Sequence, residues 1–287
     1  MRRRKQAMKR VCLGVVVLGR DLLKFVREMK RGQPARVTKG MESQPAPEHA
    51  NHMPDILTCA VLEQPKNAGA YLPWVKELIA RVKNEDPDGL RKIRLCVGLA
   101  KELMQEAFPI GLFASRYFAA SNEVEIALKV GSQGYDATVR DLRDKPSGIA
   151  YLEVTMATDG EVDYLRMLEL HRADQVSGLG LVTKTGTKRT GLTIQVRSEA
   201  VSQQSVLEKE RRVVLGAIER KVTKNYPAGT ALIVGFDDTM SFDRADNIAN
   251  IENVLDANES RLSSFHTVAV VGLIMNTFLV RSYADAT

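Results

Sequence analysis

At 287 residues the chain is long enough for one large domain, or for one domain with appendages. Its 44% hydrophobic and 26% charged content is that of an ordinary globular protein, and no apolar run reaches the roughly 18 residues of a membrane-spanning helix. The net charge of +6 is a property of one end: residues 1–40 carry thirteen Lys or Arg against only Asp21 and Glu28, a local +11, which leaves the remainder at −5. A globally basic nucleic-acid-binding surface therefore does not follow from the isoelectric point.

Three cysteines, Cys12, Cys59 and Cys96, are odd in number and form no CxxC pair. This argues against a disulfide framework and against a zinc ribbon, and a reducing, cytoplasmic setting is the expectation. His171 and His266 stand apart from any cysteine or second histidine at ligand spacing, so neither a zinc site nor a Ser-His-Asp triad is supported.

In chain order, residues 1–52 read as a basic extension and linker, disordered or partly helical, and 53–287 as a single α/β domain. The basic residues up to Arg10 and the apolar run Val11 to Leu18 imitate the front of a signal peptide, but no A-x-A cleavage pattern follows. Three readings stay open for this segment. It is a basic amphipathic helix that contacts nucleic acid or anionic lipid, a poor export signal, or an unstructured extension preceding a true start at Met41 or Met53.

The body opens with a helix on Pro73, Val75, Leu78, Ile79 and Val82 that stops near Asp86-Pro87-Asp88-Gly89. A second helix is predicted from about Leu90 to Phe108, carrying Cys96 on its apolar face and ending before Pro109. The period then changes to two. Glu123 to Val130, Tyr135 to Leu142 and Ile149 to Met156 read as three strands joined by short turns, an antiparallel meander.

A helix over about Gly160 to Arg172 follows, then a glycine-punctuated hairpin within 178–197, with arms Leu179 to Thr183 and Leu192 to Val196. A long helix spans about Ser205 to Asn225. Thr230 to Phe236 is a buried strand, Phe242 to Leu262 is helical, and Val268 to Arg281 contributes one or two further strands.

Side chains two apart on a strand share a face, so Tyr151, Glu153 and Thr155 point one way and Leu152, Val154 and Met156 the other. Asp136 and Thr138 share a face of the preceding strand. Glu153 lies among apolar neighbours, and an acid there needs a partner or a task, because an unpaired buried charge costs several kcal/mol. Pairing of the two strands brings Asp136 towards Glu153. Two carboxylates with open positions suit Mg²⁺, which keeps its waters and can activate one of them. The bland alternatives are ion pairs, Asp136 with Arg140 or Arg143 and Glu153 with an arginine such as Arg166.

On these residues the chain resembles the PD-(D/E)XK, or restriction-endonuclease-like, nuclease superfamily, over residues 90–172 and onward to the strand ending near 237. The resemblance implies an α-β-β-β-α core in a mixed α/β sheet, to which the hairpin and the C-terminal helices and strands are additions. Asp136 matches the acid of the second strand, and Glu153-Val154-Thr155 matches the (D/E)-x-K motif of the third. Glu102 or Glu106 matches the glutamate that many members carry on the preceding helix. The resemblance thus implies a Mg²⁺-dependent phosphodiester hydrolase with Asp136, Glu153 and Glu102 at the metal and Thr155 in the catalytic set.

Thr155 stands where the family usually has a lysine that positions the attacking water. Some branches recruit that lysine from elsewhere, and Lys129 and Lys184 are the candidates.

Two other functions are kept in view. One is a non-catalytic nucleic-acid-binding or assembly module on the same fold. The other is a carboxylate phosphohydrolase centred on Asp237 and Asp238, although acids at a strand end more often cap the next helix, a role that suits Ser241 or Asp243. The hydroxyl-rich hairpin tip with Lys184, Lys188 and Arg189 is the candidate for phosphate contacts, or else a solvated turn. It is not a P-loop, because Gly186-Thr187-Lys188 inverts the required order.

Overall fold

The computed structural model describes residues 55–283, except 179, 188, 241 and 242. The chain divides into Met1–Asp55 and Ile56–Thr287, and the elements described here belong to the second unit. The expectations for the basic segment, for Met41 and Met53 as starts, for Lys188 and for Ser241 lie outside the described residues.

These residues form a mixed α/β structure around a seven-stranded sheet. Its strands are β1 (Lys66–Asn67), β2 (Val124–Leu128), β3 (Ala137–Asp141), β4 (Tyr151–Ala157), β7 (Thr230–Phe236), β8 (Thr267–Gly272) and β9 (Phe278–Ser282), and they lie in that spatial order. From β1 to β4 every neighbour is antiparallel; β4, β7 and β8 run parallel, and β9 returns antiparallel. The remaining strands, β5 (Val182–Thr187) and β6 (Gly191–Val196), make a separate hairpin.

β7 and β8 are buried at every position. Strands covered on both faces read as unbroken apolar runs rather than as alternation. Ala231, Ile233, Ala269 and Val271 enter one core with helix α2 (Ala68–Glu85), which supplies Tyr71, Val75, Leu78 and Val82. Leu232, Val234, Val268 and Val270 enter the other, with Val214 and Ile218 of α7 (Gln203–Val222) and Ile251 and Val254 of α8 (Arg244–Asp256). Short helices α1 (Cys59–Leu62) and α9 (Glu259–Leu262) close the two cores, each with a buried leucine.

The helix predicted over 90–108 is broken and displaced. α3 (Gly89–Leu95) ends at Cys96, which takes a left-handed conformation with φ 50°. Cys96 is therefore a helix terminus, not a position on a continuous apolar face, and Val97 beside it is 37% exposed. After Gly98 the chain re-enters helix as α4 (Ala100–Glu102), passes through a π-helical turn (Leu103–Ala107), and continues as α5 (Phe108–Tyr117).

Pro109 does not stop this helix. A proline ring collides with the carbonyl four residues back, here that of Gln105, and the wider π turn relieves the clash. α5 then buries Ile110, Phe113 and Ala114 against the sheet. Close contact is possible at Gly235, where an added Cβ would sit 2.9 Å from Met156 Sδ and 3.4 Å from Pro109 Cγ.

The acids at the end of β7 serve the fold. Asp238 is 1% exposed. It accepts the backbone N–H groups of Ile274 (2.9 Å), Met275 (2.8 Å) and Thr277 (3.0 Å), which ties down the β8–β9 turn. Asp237 holds Thr239, and Asp243 caps α8 through the amides of Ala245 and Asp246. Both oxygens of Asp238 are thus taken by amides, whereas Asp237 is exposed and engages Thr239 through Oδ1. Replacing Asp238 by Ala strands three amides and is expected to cost about 2–4 kcal/mol. At about 2–4 °C per kcal/mol the loss is readable by thermal melting.

Candidate carboxylate site at the open edge of strand β4

β3 and β4 separate early. Their ladder has only Ala137↔Leu152 and Thr138↔Tyr151, closed by the Asp136 N–H on the Leu152 carbonyl at 2.8 Å. The other edge of β4 is paired with β7 from Tyr151 to Ala157. Past Leu152, one edge of β4 is therefore free of a strand partner. The sequence places Asp136 within a strand from Tyr135 to Leu142, whereas in the structure it directly precedes β3. Its Oδ2 accepts the Val154 N–H at 2.6 Å and so occupies the first free edge position.

Glu153 points to the face covered by α7, as the strand parity requires. It is 5% exposed. Its Oε1 accepts Lys221 Nζ at 2.5 Å and the Tyr226 hydroxyl at 3.2 Å. The arginine pairings considered for these acids are not formed. Arg143 pairs with Asp141, and Arg166 donates to the carbonyls of Ser177 and Gly180. Pairing with Arg143 holds the Asp141 carboxyl well below the usual carboxylate range.

The π turn supplies a third acid. Glu106 lines a cleft of about 400 Å³ with Val154, Thr155 and Thr158 of β4 and its following turn, Lys101 of α4, and Lys221 and Lys224 near the end of α7. Burial, then the field of Asp136 and of Glu102, pushes the Glu106 carboxyl up to about 8. Burial and the neighbouring Glu153 push Asp136 up to about 6, against the opposing Val154 amide. Burial and Glu153 together raise the Tyr226 phenol. Of the two glutamates expected on the preceding helix, Glu106 reaches the site. Glu102 is one helical turn away, and its buried Oε2 has no hydrogen-bond partner.

Thr155 is 6% exposed and lines the cleft. The cation beside the acids is Lys221, 68 residues further on, and neither Lys129 nor Lys184 lines the cleft. Lys184 is ion-paired with Glu161 of α6 (Glu161–Ala173), and Arg189 is exposed at the hairpin turn. Lys221 and Tyr226 were missed by the sequence reading. The available signal was the basic last turn of a long helix placed directly before a strand that pairs with β4.

The donor set is all oxygen. Glu106 makes no hydrogen bond or ion pair among the described residues, and one oxygen of Asp136 has no bonded donor. Such unoccupied carboxylate oxygens suit a hard divalent cation. The described residues do not gather three ligating side chains into a ready-made cage, and a Mg²⁺ that keeps most of its waters does not require one.

The raised acids have a consequence for stability. A carboxyl with a raised folded-state pKa contributes stability that is fully present below the unfolded value, near 4.5, and lost as pH climbs through about 8. Glu106→Gln removes that loss. The variant is expected to be more stable than the parent at pH 9, on the order of 1–2 kcal/mol given that Glu106 is only half-buried, and equal to it at pH 4.5. Melting curves at the two pH values check this.

Comparison of the chain with family models, with curated proteins and with solved structures gave no match in any of the three. Among the described residues, no helix is long and apolar enough to cross a membrane.

Proposed function

We propose that this chain is a Mg²⁺-dependent hydrolase of phosphodiesters in nucleic acid, of the PD-(D/E)XK kind. The observation that carries the reading is the meeting of Asp136, Glu153 and Lys221 at the open edge of β4. Its setting is a helix, a three-strand meander and a following helix, which supports the α-β-β-β-α reading. β7, parallel to β4, is an addition to that core, and Lys221 would supply the cation that Thr155 lacks.

In this reading Asp136 and Glu153 would hold a Mg²⁺, with Glu106 beside them, and the chemistry such an ion would supply is activation of water and compensation of phosphodiester charge. Lys221, held by Glu153 at the cleft, is placed to orient the attacking water. Thr155 lines the cleft beside them and contributes a hydroxyl but no charge.

The test is incubation of the full chain with end-labelled DNA and RNA in Mg²⁺ or Mn²⁺. Cleavage that stops on chelation with EDTA supports the proposal. No cleavage of either polymer in either metal counts against it and favours the non-catalytic module.

A further inference from the structure

Basic side chains on this body are largely neutralised. Arg91 pairs with Asp88, Arg94 with Asp174, Arg143 with Asp141, Lys184 with Glu161, and Arg212 with Asp159. That is what a body of net charge −5 leads one to expect.

The cleft breaks the pattern. Lys101 enters it from α4, and Arg220 and Lys224 from the end of α7; none of the three has an acidic partner within ion-pair distance among the described residues. Arg220 donates one amino group to the Met156 carbonyl at 2.9 Å, which fixes the guanidinium at the free edge of β4. Lys221 is committed to Glu153 and does not belong to this group.

Three cations with no ion-pair partner among the described residues, in a concavity whose one acidic lining residue is Glu106, describe a place for an anion. The chemistry favours phosphate, since a guanidinium presents a fork of donors and lysine a point charge to such oxygens. We infer that Lys101, Arg220 and Lys224 form an anion subsite for a second phosphate group, the one next along the strand from the phosphate at the carboxylates. This rests on the proposed function for the position of the reacting phosphate. It makes the substrate an internal diester of a polynucleotide strand, because a lone diester fills only one of the two places.

The test uses the full chain and its Lys101→Ala/Lys224→Ala variant. Both side chains are exposed, so an unchanged melting temperature is the folding control. Binding of a fluorescein-labelled single-stranded DNA oligonucleotide is measured in EDTA across a range of salt. Hydrolysis of bis(p-nitrophenyl) phosphate, which has one phosphate, is measured in Mn²⁺.

The expected result is at least about tenfold weaker oligonucleotide binding, with the salt slope reduced by about 1.4 for two lost contacts to a single strand. Hydrolysis of the small diester stays within about twofold. Unchanged affinity and slope, or a parent that does not bind the oligonucleotide, overturns the subsite. Equal losses on both substrates overturn it too. If binding falls as expected but neither protein hydrolyses anything, the subsite stands and the hydrolase reading fails. If the parent hydrolyses and the variant binds normally, the reverse holds.

Discussion

The Glu153→Gln protein is expected to lose Mg²⁺-dependent cleavage by about a thousandfold or more. The substitution keeps the size and the Tyr226 contact but removes the charge that pairs with Lys221 and that, on the proposed function, would hold the metal. Metal stabilisation of a phosphodiester transition state is worth several kcal/mol, and each 1.36 kcal/mol is a factor of ten in rate. Asp136→Asn is expected to behave alike. Thr155→Ala should keep the rate within about tenfold, because it removes a hydroxyl and no charge. Single-turnover cleavage rates in Mg²⁺ check all three, and a full rate for Glu153→Gln would end the carboxylate-site reading.

Lys221→Met has a different signature. Glu153 and Lys221 are both nearly enclosed, with side-chain exposures of 7% and 15%. Removing one member of a buried pair leaves the other uncompensated and costs about 3–5 kcal/mol. The variant should therefore melt well below the parent, and Mg²⁺ should restore part of the loss by neutralising Glu153. Lys221→Met/Glu153→Leu should recover most of the stability, since apolar replacement of a buried pair is often neutral. It should recover none of the cleavage. A stable and inactive double variant separates the work of these residues in hydrolysis from their part in the fold.

The sequence exposed the site unevenly. Strand parity placed Glu153 and Thr155 on one face, and the meander brought Asp136 to Glu153, because both follow from local alternation and short turns. Lys221 was hidden, since the contact depends on how α7 lies across a strand 68 residues earlier. The 90–117 stretch misled for a local reason. Positions 100, 103, 104 and 107 fit an α-helical period whether or not a π turn lies among them, and Pro109 looked like a stop although the π turn accommodates it. Gly98 was the legible sign of the break, as one of two left-handed residues between α3 and α4. Asp237 and Asp238 invited a catalytic reading because the turn that engages Asp238 lies 36 residues further along.

The early parting of β3 from β4 bears on solubility as well as on chemistry. A bare strand edge is a template for another chain, and natural proteins protect such edges with charge and with side chains that engage the free amides and carbonyls. Here Asp136 occupies the Val154 amide, Arg220 occupies the Met156 carbonyl, and the surrounding lysines keep a second strand away. The groups assigned to phosphate chemistry thus also act as gatekeepers against self-association. Neutralising several of them together should favour edge-to-edge dimers or larger assemblies, and light scattering on such combined variants would reveal them before any loss of activity is interpreted.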